Sequence, residues 1–290
     1  MKRNVILWGA AAALSVAGFA GCSSSASDAP TPKNVIFFLG DGMGLTTMTA
    51  ARIYKAGEDG ELTMDTLPET AFIKTYSNDA QVTDSAPSMA AYMTGVKMNN
   101  EVVSMTSDTS AYDKSTFASY VSGADSTCPS NNGSAVPTLL EKAKSAGLAT
   151  GVVTTTRITH ATPATTYAHI CHRDGENAIA AQLVPNGSGY NTALGSGVDV
   201  ILGGGLAYFQ PKTTTGSKRT DTRDLVAEFK TAGYKFVANK TEFDATTSSD
   251  KKLVGLFTSS HMSYDYDRVA NAANEPSLAD MTSKAIDILK

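Results

Sequence analysis

Val136-Pro137-Thr138-Leu139-Leu140-Glu141-Lys142-Ala143-Lys144-Ser145-Ala146-Gly147-Leu148-Ala149-Thr150-Gly151-Val152-Val153-Thr154-Thr155 joins two periodicities in a single stretch. Residues 136–146 carry the spacing of an amphipathic helix, and Gly147 follows where a helix commonly ends in a left-handed residue. Residues 149–155 are then apolar and β-branched, which predicts a strand buried in a sheet. Downstream the alternation continues. Residues 198–202 form a second apolar run that opens onto Gly203-Gly204-Gly205, residues 225–232 look helical, residues 253–258 look like a strand, and residues 277–290 form a last helix. Upstream, residues 34–39 read as a strand buried on both faces, residues 45–56 as a helix and residues 71–76 as a short strand. Between them and the quoted stretch, residues 99–132 are rich in Ser, Thr, Asp and Gly, which predicts a long surface excursion. Strand and helix in alternation predict an α/β fold, a mainly parallel sheet sandwiched between helices. There is no internal repeat.

Bulk properties allow one large domain. The chain has 290 residues, 42% hydrophobic and 18% charged, with a formal net charge of −4, a balance that gives no reason to expect a nucleic-acid partner. Its first 22 residues carry a basic start at Lys2 and Arg3, an apolar stretch too short to span a bilayer comfortably, and small residues up to Cys22. Phe19-Ala20-Gly21-Cys22 looks like a bacterial lipobox, in which the cysteine is lipidated and anchors the protein to a membrane. The alternative is a secretory signal cut near Ala20. Either way the expectation is export to the cell envelope, membrane-anchored or periplasmic, with residues 23–33 as a flexible tether too polar to fold. Export places Cys128 and Cys171 in an oxidising compartment.

Two further stretches carry chemistry. In Val82-Thr83-Asp84-Ser85-Ala86-Pro87-Ser88-Met89-Ala90-Ala91-Tyr92-Met93-Thr94-Gly95, an acidic residue and a serine precede a small-residue helical run. Ser85 therefore falls at a helix N-terminus, where unpaired N–H groups and the helix dipole favour phosphate and an ionised hydroxyl. The plainer alternative is that Asp84 or Ser85 only caps the helix. In Asn34-Val35-Ile36-Phe37-Phe38-Leu39-Gly40-Asp41-Gly42-Met43-Gly44, a predicted strand breaks into glycines around Asp41, at the strand end where α/β sheets bind ligands.

Together with Thr154-Thr155-Thr156-Arg157-Ile158-Thr159-His160-Ala161-Thr162-Pro163-Ala164-Thr165-Thr166-Tyr167-Ala168-His169-Ile170-Cys171-His172-Arg173-Asp174, these motifs resemble the alkaline phosphatase family from about residue 34 onward. The resemblance implies hydrolysis of phosphate monoesters through a phosphoserine, two zinc ions and one magnesium ion. It implies that Asp41 bridges two metals, that Ser85 is the nucleophile and a metal ligand, and that His160 and Thr162 supply the magnesium side. Arg173 would clamp the phosphate with a planar fork that Asp84 could hold. A histidine at position 160, where some branches have aspartate, implies looser magnesium binding. The family also implies a bridge between the regions of Cys128 and Cys171, two buried thiols being the alternative, and commonly a homodimer. His169 and His172 are expected to be structural and His261 to face solvent. Thr258 stands where relatives with a calcium site carry an acidic residue.

The family's remaining zinc ligands lie downstream of the helix at residues 277–290, so the chain is expected to be the N-terminal part of such an enzyme, truncated at its C-terminus and inactive alone. Two other functions remain open on the residues themselves: a lipid-anchored phosphate-binding or structural protein without turnover, and a related phosphodiesterase or sulfatase. Asp84-Ser85-Ala86 favours the monoesterase.

Overall fold

The computed structural model describes residues 34–270 and 272–290. The expected signal segment, Cys22 and the tether lie outside the described residues. Residues 1–40 and 41–290 separate as two units. In the first, residues 34–40 contain no helix or strand and are exposed, Val35 by 75% and Phe38 by 74%. The strand expected at residues 34–39 is therefore not formed. An apolar run becomes a strand only when a neighbour takes up its backbone groups in a ladder, and no ladder includes these residues. The same holds for residues 71–76, where Phe72 is 84% exposed.

The second unit runs, in chain order, through α1 (Leu45–Ala56), α2 (Ser85–Thr94), the strands β1 (Val121–Ser122) and β2 (Asp125–Ser126), α3 (Leu139–Ser145), β3 (Gly151–Arg157), α4 (Ala161–Ala164) and α5 (Glu176–Leu183). It continues through β4 (Val200–Gly204), α6 (Leu225–Thr231), β5 (Lys235–Val237), α7 (Lys240–Asp244), β6 (Leu253–Leu256), α8 (Asp265–Ala270) and α9 (Leu278–Leu289). β1 and β2 pair antiparallel, whereas the other four strands form one parallel sheet in the order β3-β4-β6-β5.

Both faces of that sheet are covered, as a continuous apolar run such as β4 requires. Val200 and Leu202 point into a cluster with Val237, Phe243, Leu253, Met281 and Ile288. Ile201, between them, points the other way, into a cluster with Val152, Leu183, Phe229, Val254 and Leu256. Each such side chain, fully buried, stabilises the fold by about 1.5–3 kcal/mol. α9 closes the first cluster with Met281, Ala285 and Ile288, which share one helix face, and it begins with a reciprocal cap between Ser277 and Asp280. α3 starts later than its apolar pattern suggests because Thr138 is its N-cap, paired reciprocally with Glu141; Gly147 follows the helix at φ +77.

Residues 99–132 are not a purely surface excursion. Val102, Val103 and Ala111 are buried, Val103 bridges to Ile170, and Cys128 is disulfide-bonded to Cys171. The excursion is thus fastened to the segment that follows α4.

Candidate active site

The site grows from the N-terminus of α2. Asp84 is the N-cap, with one carboxylate oxygen accepting from the Ala86 N–H at 3.1 Å, and Ser85 is the first helical residue. The same oxygen accepts from Arg173 Nη1 at 2.6 Å, while the other accepts from the Glu101 N–H at 2.9 Å. Arg173 Nη1 also donates to Ser85 Oγ at 3.0 Å. A guanidinium and a helix N-terminus thus converge on a single hydroxyl, and both favour its ionised form.

β3 delivers the next layer. It ends at Arg157, and three residues on His160 caps α4, the short helix that carries Thr162. His160 Nε2 accepts from Arg173 Nη2 at 2.9 Å. Burial, then the charges of Arg173 and Arg157, push its pKa down to about 4, so the ring is neutral near neutral pH. Thr162 Oγ1 donates to Asp41 Oδ2 at 2.7 Å. Asp84, Ser85, Arg173 and His160 therefore form one bonded group, and Asp41 with Thr162 a second, connected through α4.

Several residues here went unassigned from sequence. Glu101 holds a left-handed φ of +70; its carbonyl accepts from the Arg173 N–H at 2.8 Å, and its carboxylate lies 3.9 Å from Arg173 Nε. Burial, and then repulsion from Asp84, raise its pKa. The preceding Asn99-Asn100 pair, turn formers both, was the available signal. Arg157 makes a two-pronged ion pair with Glu176 at 2.8 and 2.9 Å, and its position at the end of the predicted strand was the clue. His261, expected to face solvent, is exposed yet engaged: its Nε2 lies 2.7 Å from Arg157 Nη1 and its ring stands edge-on to His160 at 5.3 Å. Exposure alone did not free it, because the loop after β6 brings it to the end of β3. His169 is structural, bonded to Glu141 at 2.7 Å.

Metal-binding potential lies in two places. The Asp41 and Thr162 oxygens suit a hard cation, and the buried Nδ1 of His160, two residues before Thr162, has no hydrogen-bond partner. Glu101, His172 and Asp174 bring ligand atoms within 4.8 Å of one another. Catalytic zinc usually takes three protein ligands, and of the residues implied here Asp41 and Ser85 offer the oxygens that fit one.

The family model described as alkaline phosphatase matches residues 32–290. The tissue-nonspecific alkaline phosphatase of Homo sapiens is 37% identical over 286 residues, which cover 89% of this chain and 52% of the human protein. Among solved structures, the alkaline phosphatase of Thermus thermophilus superposes with a TM-score of 0.64 at 28% identity, over 84% of this chain and 43% of that one. A histidine-to-glutamate mutant of the alkaline phosphatase from the Antarctic bacterium TAB5, solved with Mg bound in its M3 site, gives 0.61 at 25% identity, over 86% and 58%. The chain spans about half the length of the curated relatives it matches.

Proposed function

This chain belongs to the alkaline phosphatase family, and from that premise we propose that it acts in the hydrolysis of phosphate monoesters with Ser85 as nucleophile. One observation carries the proposal: Arg173 Nη1 donates both to Ser85 Oγ and to the Asp84 cap of the same helix. Ser85 Oγ, its proton released to water, attacks phosphorus, the bond to the alcohol oxygen breaks, and the electron pair leaves with that oxygen, which takes up a proton from water. Water then attacks the phosphoserine, releases phosphate and restores the hydroxyl. Arg173 keeps its planar fork beside the non-bridging oxygens, and Asp84 and His160 keep the fork oriented. Two zinc ions and one magnesium ion complete the proposal, with Asp41 and Ser85 toward zinc and Asp41, Thr162 and His160 toward magnesium. When bound, such ions promote ionisation of the attacking hydroxyl and take up charge on the leaving oxygen.

Acid quenching of a form of the protein extended to the length of its relatives, during exposure to an aryl phosphate and followed by mass spectrometry, tests the assignment. Phosphate is expected on the peptide that holds Ser85 and is expected to be absent in Ser85→Ala. Phosphate on another residue, with activity unaltered in Ser85→Ala, would overturn it. The proposal includes export, with a lipid anchor at Cys22; the disulfide between Cys128 and Cys171 supports an oxidising destination.

A further inference from the structure

The excursion of residues 99–132 holds a cavity of about 470 Å³ lined by Ser110, Tyr112, Asp113, Lys114 and Phe117. Phe117 is unusual there in two ways. Its φ is +57, a left-handed conformation that bulky residues rarely adopt, and the residue is 80% exposed. The loop holds it in that state. Asp113 Oδ1 accepts from the Ser115 and Thr116 N–H groups at 2.9 and 2.8 Å and from both hydroxyls, while the Phe117 N–H donates to the Asp113 carbonyl at 2.8 Å. The Asp113 carboxylate is thereby committed to its own loop, which leaves the two aromatic rings and the Lys114 ammonium to meet a ligand. Strain maintained to present an apolar ring to solvent is a mark of a binding surface.

Tyr112 connects this cavity to the phosphate clamp. Its ring stands edge-on to His172 with centroids 5.6 Å apart. His172 lies with Glu101 in the cluster of ligand atoms within 4.8 Å, Glu101 reaches Arg173 at 3.9 Å, and Arg173 reaches Ser85 at 3.0 Å. We infer that Tyr112 and Phe117 form a subsite for the alcohol portion of an aromatic phosphate monoester, whose ring lies against theirs while Arg173 holds the phosphoryl group. This rests on Arg173 and Ser85 being a phosphate site.

Titration calorimetry on the full chain with methylphosphonate and naphthylmethylphosphonate, neither of which is hydrolysed, tests it. The naphthyl compound should bind about tenfold more tightly, the scale expected for aromatic contact with buried area added. Tyr112→Ala and Phe117→Gly should each remove most of that preference and leave methylphosphonate affinity as it was. Glycine accepts a φ of +57 without strain, so Phe117→Gly should melt no lower than the parent, which separates lost binding from lost folding. A naphthyl-to-methyl ratio near one, or a ratio unmoved by both substitutions, overturns the subsite while methylphosphonate binding that is lost in Arg173→Ala keeps the phosphate site standing. No methylphosphonate binding at all overturns both.

Discussion

Arg173 divides a single guanidinium among Asp84 at 2.6 Å, Ser85 at 3.0 Å and His160 at 2.9 Å. Because two of these partners hold the fork still before a ligand arrives, little rotamer freedom is left to lose on binding. Arg173→Ala should weaken inorganic phosphate binding roughly tenfold to hundredfold, which corresponds to about 1.5–3 kcal/mol for a charge-assisted contact. Calorimetry reads the affinity, and metal analysis of the same variant should show little change, since a guanidinium has no lone pair to offer a metal and Asp41 and Thr162 bond to each other. An affinity equal to the parent's removes the clamp role. Arg173, Asp84 and Ser85 were legible because local sequence sets their geometry: an acidic cap, a first helical residue, an arginine in a motif. Glu101 was not, since a left-handed φ at a glutamate is imposed by the Asp84 carboxylate and the Arg173 N–H, partners 17 positions away in one case.

At the scale of elements, His169 ties α3 to α5. Its Nε2 lies 2.7 Å from Glu141, its Nδ1 lies 2.7 Å from the Ser104 carbonyl, and Gln182 brackets its backbone at 2.9 and 3.0 Å. Acceptors at both ring nitrogens require a doubly protonated imidazole. Burial opposes that charge, but Glu141 and the Ser104 carbonyl outweigh it and raise the His169 pKa. Burial also opposes the Glu141 carboxylate, and its bonds from His169, Asn191 and the Thr138 N–H outweigh that in turn and lower its pKa. The His169 contribution is complete below the ordinary imidazole range and is lost as pH rises through the raised value; the Glu141 contribution is lost as pH falls through the lowered one. Urea unfolding should therefore show stability declining from about pH 6.5 upward, where an unperturbed imidazole titrates. Glu141→Gln should flatten that slope and cost roughly 1–3 kcal/mol at pH 6. Equal slopes in parent and variant would dismiss the pair as the cause. α3 and β3 were legible from periodicity. α5 was not, because Glu176, Asn177, Ile179, Ala180, Ala181 and Leu183 are all buried, which leaves little polar face to mark a helix. Residues 34–39 were misread for the opposite reason: their pattern is that of a strand, but a strand exists only with a ladder partner.

For the molecule as a whole, the bond from Cys128 to Cys171 spans a sequence separation of 43. In the chain-entropy account, closing a loop of that size removes about 4 kcal/mol of disorder from the unfolded state. The double replacement of Cys128 and Cys171 by serine should lower the unfolding free energy by roughly 3–4 kcal/mol without reductant present. A loss under roughly 1 kcal/mol would show that the unfolded chain retains structure that already keeps the loop ends close. The sheet order bears on how the molecule assembles. β4 passes over β5, its neighbour in sequence, to pair with β6, and β5 finds its ladder only on the far side of β6. As the chain emerges from the ribosome, β3 and β4 can zip together early, whereas β5 must wait unpaired until α7 and then β6 have followed it out. Assembly proceeds across the sheet from the β3 side to the β5 side, through long-range parallel pairings that form slowly. Until residue 253 appears, the β4 flank stands open to any extended segment nearby, and that interval is when misassembly competes with folding.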